Sequence, residues 1–347
     1  MTEEEKYIAR CIQLARNGLV RVSPNPMVGA VIVHNGKIIG EGYHAKCGCA
    51  HAEVNAINAV KEHSLLKEST IYVSLEPCSH HGKTPPCADL IIQKGIPNVV
   101  IGCQDPFSKV AGRGIQKLKD AGIKVKVGVL EEECKKLIKR FITFNTQHRP
   151  YVILKWAESS DGFIDVKRTE GKPVVLSNPL TNMLVHKLRS EVDGIMVGTN
   201  TALLDNPSLN TRNWYGKSPV RIVIDKGLKL PEQLHLFDGS KQTLVFTEKI
   251  KENQPNIEYI TIHFDEDTIS HICNALYERN VQSLLVEGGS ALLQSFIDAG
   301  IWDEIRVEKA DISLHDGVKA PVIKEKNSYT YTKHFDSEFL LYENKGH

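Results

Sequence analysis

His51-Ala52-Glu53, followed by Pro77-Cys78 and then Cys87, constrains this chain more than any other feature. One imidazole and two thiols are donors suited to Zn²⁺. A set of three leaves the fourth corner of a tetrahedron open for water, the pattern of catalytic rather than structural sites. Two thiolates and a neutral imidazole also cancel the charge of the ion. Glu53 is not needed as a ligand. A carboxylate two residues from the imidazole can shuttle the protons of that water. The fold must bring together segments far apart in sequence to achieve this.

Taken singly, these residues carry little. A His-x-Glu is common by chance, and two cysteines this far apart are more often unrelated buried thiols. Their conjunction is different. His-Ala-Glu opens an apolar helical stripe (Val54, Ala56, Ile57, Val60), and Pro77-Cys78 follows a strand pattern over 70–75. Pro86 suits the first position of a helix, so Cys87 is expected at a helix N-terminus, where the dipole favours a thiolate. The order His-x-Glu, Pro-Cys, Cys is that of the zinc deaminases, which replace a ring amine with oxygen. Their cysteines are two residues apart; here residues 79–86 intervene, carrying His80, His81 and Lys83. A basic rim of this kind suits an anionic substrate such as a nucleotide phosphate. Cys47 and Cys49 are expected to be near neighbours of the site or packed thiols.

A chain of 347 residues is expected to form two domains. With 43 Lys+Arg against 42 Asp+Glu, a polybasic nucleic-acid surface is not expected. Eight cysteines without framework spacing fit a reduced, cytoplasmic setting. The first ten residues lack the apolar core of a signal peptide, and no run is long enough for a membrane span. Helix and strand signals alternate: a helix ending at Asn17-Gly18, strands 28–33 and 37–43 around Asn35-Gly36, a helix from His51, strand 70–75, helix 87–94, strand 99–103, helix 114–121, strand 123–129 and helix 131–146. This predicts a mixed sheet with helices on both faces. Arg149-Pro150 is a joint, because proline disfavours helix at the residue before it. Beyond it come strands 151–156, 194–197, 220–224, 243–246 and 283–286, with helices 180–189, 268–279 and 290–299.

The second half has no Gly-x-Gly-x-x-Gly after its first strand, so a Rossmann dinucleotide site is not expected. Glu287-Gly288-Gly289 runs from a strand into a helix at Ser290, and glycines there can expose N–H groups to a phosphate; an ordinary strand-to-helix turn is the plainer reading. Lys155 either points into a cleft or faces solvent by strand alternation.

Ser23–Val33 (SPNPMVGAVIV), Ala50–Ile57 (AHAEVNAI), Leu75–Ile91 (LEPCSHHGKTPPCADLI) and Asp105–Ile115 (DPFSKVAGRGI) resemble the bifunctional deaminase/reductase of riboflavin biosynthesis. So do LKWAESSDG from Leu154, VGTNTALLDNPSLNTR from Val197, PVRIVID from Pro219 and VEGGSALLQSF from Val286. The resemblance implies an α/β protein with a cytidine-deaminase-like three-layer domain over 1–146 and a dihydrofolate-reductase-like domain over 150–345. It implies zinc-dependent deamination of 2,5-diamino-6-(5-phosphoribosylamino)pyrimidin-4(3H)-one, then NADPH-dependent reduction of the ribosyl group to ribityl. His51, Cys78 and Cys87 would hold zinc, with Glu53 as the proton shuttle and Asn25, His44, His80 and Lys83 on the deaminase substrate. NADPH would meet Ser159, Thr201 and Asp205, together with Gly289, Ser290, Ala291, Leu292, Leu293, Gln294 and Ser295. The reductase substrate would meet Lys155, Arg189, Leu209, Arg212 and Glu287, the two arginines on its phosphate. A homo-oligomer, dimer or tetramer, is implied as well. Two departures stand out: Val175 occupies the place of a tryptophan near the cofactor, and 311–320 lacks the usual Pro-Lys-Leu and glycine-rich run.

Two other readings remain open at this point. One is a nucleoside or nucleic-acid deaminase with an unrelated second domain. The other is a zinc-stabilised scaffold whose metal is closed by a fourth side chain, such as Cys49.

Overall fold

Along β1 (Gly29–His34) Ala30 and Ile32 enter one apolar cluster, and Val31 and Val33 enter another. Successive strand side chains face opposite ways, so a strand apolar at every position must be covered on both faces. The computed structural model of the chain describes residues 1–79, 85–107, 111–323, 328–335 and 337–344. They form two units, Met1–His148 and Arg149–His347.

In the first unit, α1 (Glu3–Ala15) precedes β1 and β2 (Lys37–Tyr43), which are joined through Asn35-Gly36 with φ of 46° and 72°, the positive values a tight hairpin turn needs. Then come α2 (Ala52–Ala59), β3 (Thr70–Leu75), α3 (Cys87–Lys94), β4 (Asn98–Cys103), α4 (Arg113–Asp120), β5 (Lys124–Val127), α5 (Glu131–Leu137) and α6 (Lys139–Gln147). The sheet order is β2-β1-β3-β4-β5, with β1 antiparallel to both neighbours and β3, β4 and β5 parallel. Helices α2, α3 and α4 bury Ala56, Ile57, Ala88, Ile91 and Leu118 on one face; α1 and α5 bury Ile8, Cys11 and Cys134 on the other. This is the mixed, doubly covered sheet expected. The single helix expected over 131–146 is two helices that meet at Ile138, where φ is −107°. The break lets Cys134, Ile138 and Phe141 all reach the same core. Pro86 is the N-cap of α3 rather than its first residue.

In the second unit, Arg149 is buried and grips Asp303 through two hydrogen bonds of 2.6 and 3.0 Å, while Asp303 also accepts the Val152 N–H at 2.7 Å. These contacts fix the entry of β6 (Tyr151–Glu158). After it come β7 (Phe163–Asp165), α7 (Pro179–Ser190), β8 (Gly194–Val197), α8 (Thr199–Asp205), β9 (Val220–Ile224), β10 (Thr243–Thr247), β11 (Ile257–Thr261), α9 (Thr268–Glu278), β12 (Ser283–Gly288), α10 (Ser290–Asp298), β13 (Glu304–Lys309), β14 (Val318–Lys319), β15 (Tyr329–His334) and β16 (Ser337–Glu343). The nine-stranded sheet runs β11-β10-β9-β8-β12-β6-β13-β16-β15, parallel from β11 to β13 and antiparallel beyond, and β7 pairs with β14 apart from it.

The sequence reading leaves β7, α8, β11 and all strands after Trp302 unassigned. In β13 every second residue is charged, yet Glu304 and Glu308 are each only 1% exposed. Tyr151 donates to Glu304 at 2.9 Å and Ser177 to Glu308 at 2.6 Å. Distant partners made these acids buriable, and no local pattern shows them.

Gly42 of β2 lies flat against α2: a Cβ there would meet Ala56 N at 2.4 Å and Ala52 O at 2.5 Å. Gly42→Ala should push away the helix that begins just after His51. We expect the first unit to lose about 1–3 kcal/mol in denaturant unfolding, the usual cost of overpacking.

Candidate metal centre and second cleft

His51 is the N-cap of α2, and its ring Nδ1 lies 3.6 Å from Cys78 Sγ and 3.4 Å from Cys87 Sγ. The three donor atoms all fall within 4.8 Å of one another. Three turns of chain supply them: the start of α2, the segment after β3 and the first residue of α3. Cys78 Sγ accepts the Cys87 backbone N–H at 3.3 Å, and Cys78 O accepts the Ala88 N–H at 3.1 Å, so the second sulfur's helix is folded onto the first. Hydrogen bonding from Cys87 and His51 pulls the Cys78 thiol down to about 4 against the effect of burial, and the shared bond pushes Cys87 up. Two sulfurs and one imidazole nitrogen at this spacing fit Zn²⁺.

Glu53 is 3% exposed, on the first turn of α2. Burial pushes its carboxyl up to about 7, the Cys78 thiolate adds to the rise, and His51 and Cys87 oppose it. The loop before His51 is pinned by His44 and Asn55. His44 Nδ1 meets Ala50 O at 3.1 Å, and its Nε2 meets Asn25 Nδ2 at 3.1 Å. An amide nitrogen can only donate, so His44 carries its proton on Nδ1. Burial lowers its pKa and keeps it neutral. The His44 and His51 rings meet edge to face at 5.3 Å. Asn55 donates to Tyr43 O at 2.9 Å and Ala50 O at 3.3 Å, a role the sequence did not reveal. Cys47 and Cys49 are exposed and outside the donor cluster. His80 and Lys83 lie outside the described residues.

In the second unit, β12 and β6 run side by side, and Lys155, Glu287 and Arg189 gather on the face covered by α7. Arg189 donates through Nη2 to Glu287 at 2.5 Å and through Nε to both of its oxygens at 3.1 Å. Burial works to raise the Glu287 carboxyl, but Arg189, with Lys155 behind it, holds it below the ordinary value. Arg189 also reaches Asn210 O at 3.3 Å, and Arg212 reaches Asn210 Oδ1 at 3.4 Å. Sequence reading placed Arg189 on a phosphate; here its guanidinium is engaged by Glu287, and the exposed Arg212 is the outward-facing cation of the two. Lys155 does not face solvent. Its Nζ is 3.5 Å from Glu308, in a cavity under α7 shared with Leu184, Leu188 and Phe339.

Gly289 has φ 78° and precedes α10, whose N-terminus has no side-chain cap. A Cβ on Gly288 would meet Thr201 Cγ2 at 2.8 Å, and one on Gly289 would meet Thr201 Oγ1 at 3.3 Å. Uncapped N–H groups beside two bare glycines form a cradle that fits a cofactor phosphate. Ser290 and Ala291 open this turn. Leu292 and Leu293 are buried in the core, Gln294 exchanges hydrogen bonds with the Val322 backbone, and Ser295 bonds back to Ala291 O; the Leu293 N–H is already given to Gly289 O, so the free backbone donors end at Leu292. Ser159 is fully buried, donating to Asp161 and accepting the Phe163 N–H. Asp205 ends α8 and pairs with Arg168; Leu209 packs in the core; Val175 is 76% exposed. Leu209 stands one residue before Asn210, whose carbonyl accepts from Arg189.

Comparison with known proteins covers both units. The cytidine and deoxycytidylate deaminase zinc-binding region matches residues 1–103, and the RibD C-terminal domain matches residues 150–314. The riboflavin biosynthesis protein RibD of Actinobacillus pleuropneumoniae is 41% identical over 309 residues, covering 86% of this chain and 81% of that protein. The same-named protein of Bacillus amyloliquefaciens is 40% identical over 327 residues, covering 92% and 87%. A diaminohydroxyphosphoribosylaminopyrimidine deaminase/5-amino-6-(5-phosphoribosylamino)uracil reductase structure from Thermotoga maritima superposes with a TM-score of 0.86 at 37% identity, covering 98% of each chain.

His186 gives the second unit a pH limit. It is fully buried, its Nδ1 accepts the Arg212 N–H at 3.3 Å, and burial followed by the nearby Arg189 and Arg212 lowers it from 6.5 to about 4. The unfolded chain therefore binds this proton first as pH falls. The stability it contributes is complete above pH 6.5 and drains away as pH drops towards 4. Denaturant midpoints of the second unit measured across this range should fall, and His186→Gln should flatten the slope between those two values.

Proposed function

We propose a residue-level division of labour for this chain, which belongs to the RibD family of riboflavin biosynthesis proteins and is a two-domain zinc deaminase and NADPH-dependent reductase. The convergence of His51, Cys78 and Cys87, with Glu53 buried beside them, is the observation that carries the first activity.

In the first unit, His51 Nδ1 and the two sulfurs would hold the ion. Zn²⁺ supplies Lewis acidity that makes water a nucleophile near neutral pH. Glu53 takes one proton from the water at its carboxylate and delivers it to a ring nitrogen of the pyrimidine, then takes the second from the hydroxyl left on the ring carbon and passes it to the departing amine, which leaves as ammonia. His44, fixed as a neutral ring, and Asn25 line the substrate side, and His80 and Lys83 meet its phosphate. The substrate is 2,5-diamino-6-(5-phosphoribosylamino)pyrimidin-4(3H)-one, which leaves as the deaminated uracil.

In the second unit, the Gly288-Gly289 turn and the first residues of α10, with Thr201, Ser159 and Asp205, form the cofactor wall. NADPH bound there supplies the hydride that converts ribosyl to ribityl. Glu287 and Lys155 orient the sugar, Leu209 contacts it, and Arg212 with Arg189 receives its phosphate. For Arg189 to do so its bonds to Glu287 must rearrange on binding. Eight free cysteines accord with a reduced, cytoplasmic setting, and the chain acts as a homo-oligomer, a dimer or tetramer. Among the described residues no helix is long and apolar enough to cross a membrane.

Ammonia release and NADPH oxidation, followed in parallel on one preparation, test this reading. Ammonia should appear without NADPH, and NADPH should be consumed only after deamination. Chelation should stop the first reaction and spare the second when deaminated substrate is supplied. Glu53→Gln should lower ammonia release by at least about 10²-fold, the usual weight of a general acid–base group, with zinc still bound. No ammonia from metal-replete protein would reject the assignment, and undiminished turnover by Glu53→Gln would reject its role.

A further inference from the structure

Residues 79–86 separate the two cysteines, so the chain between them does not by itself set how far apart the sulfurs stand. A third element touches both. The Glu76 carboxylate, two residues before Cys78, is 4% exposed and accepts four backbone N–H groups. Its Oε2 takes those of Asp105 at 3.2 Å and Gly112 at 3.0 Å; its Oε1 takes those of Gly114 at 2.9 Å and Ile115 at 3.3 Å. Gly112 is the N-cap of α4 and offers no side-chain cap, so Glu76 caps that helix from across the fold. A Cβ on Gly114 would lie 2.1 Å from Pro77 O, which means that α4 rests directly on the peptide leading into Cys78. At the far side of the same helix, Lys117 pairs with Asp89, two residues after Cys87. Leu118 and Ile115 of α4 share a core cluster with Ala88 and Ile91 of α3.

We propose that α4 is the clamp that fixes the separation of the two metal-binding sulfurs, with Glu76 as its positioning residue. The Lys117–Asp89 pair is half exposed and adds registry more than energy. Glu76 is the stronger arm, because a buried carboxylate whose four bonds come from one loop and helix start permits one placement of that helix. Through Pro77 and Cys78 Sγ this placement reaches the ion. In Glu76→Gln two acceptor positions become donors that face N–H groups, and the arm is lost without a large change in volume.

The inference rests on the metal reading above and predicts readouts other than turnover. Zinc transfer from Glu76→Gln to a chromogenic chelator should be about 10-fold faster than from the unaltered protein, or more, the usual weight of groups that orient metal ligands. With Co²⁺ in place of zinc, the visible d–d bands of the variant should differ from those of the unaltered protein, because ligand geometry sets them. In the unaltered protein, zinc removal should speed amide exchange at Gly112, Gly114 and Ile115, since coupling acts in both directions. Absence of stoichiometric zinc from the unaltered protein would sink the metal reading itself. Zinc present, with equal release rates and equal cobalt spectra for Glu76→Gln, would overturn the clamp alone. If the variant does not fold, unchanged exchange at those three amides after chelation would overturn it.

Discussion

Three donor atoms within 4.8 Å of one another, His51 Nδ1 and the sulfurs of Cys78 and Cys87, are the constraint around which the first unit is organised. Such a cluster opposes folding until an ion occupies it, because thiols must lose protons and an imidazole must stay neutral in a half-buried place. The fold meets this demand with backbone. Cys87 begins a helix, its own N–H bonds Cys78 Sγ, and His51 sits where α2 has not yet closed its first turn. Glycines do the rest: Gly42 lets α2 lie on β2, and Gly114 lets α4 lie on Pro77.

The second unit solves a different problem, that of charges inside a sheet. Arg149 with Asp303, Arg189 with Glu287, and Lys155 with Glu308 are all largely buried pairs on or beside the central strands. Removing one partner of such a pair costs far more than the pair itself contributes, so these residues are fixed in register even where their net effect on stability is small. Glu308 illustrates the tension: one oxygen accepts from Ser177, and the other is buried with no hydrogen-bond partner among the described residues.

Legibility in the sequence followed range. The Asn35-Gly36 hairpin, the strand over 70–75 and the helix starting at Cys87 depend on neighbours in sequence, and each appears where periodicity and turn chemistry put it. Ile138 breaks a long helical pattern because three side chains compete for one core, which no window of sequence reveals. The charge-rich β13, its neighbour β16 and the edge strand β15 escaped reading because their partners lie far away or because, as in β15, no face is buried. The same divide holds in the sites. His51, Glu53, Cys78 and Cys87 announce themselves by type and spacing. The engagement of Arg189 by Glu287, and of Glu76 by α4, arises from contacts across 98 and up to 39 residues of chain. An acid directly before Pro77-Cys78, at the end of an apolar strand, was the one local hint of the latter.

Zinc-edge X-ray absorption on the metal-replete protein tests the central claim most directly. Two sulfurs at about 2.3 Å and two lighter atoms at about 2.0–2.1 Å are expected, His51 and one exchangeable water. A shell of three or four sulfurs, with Cys49 or Cys47 recruited and no water, would contradict the account.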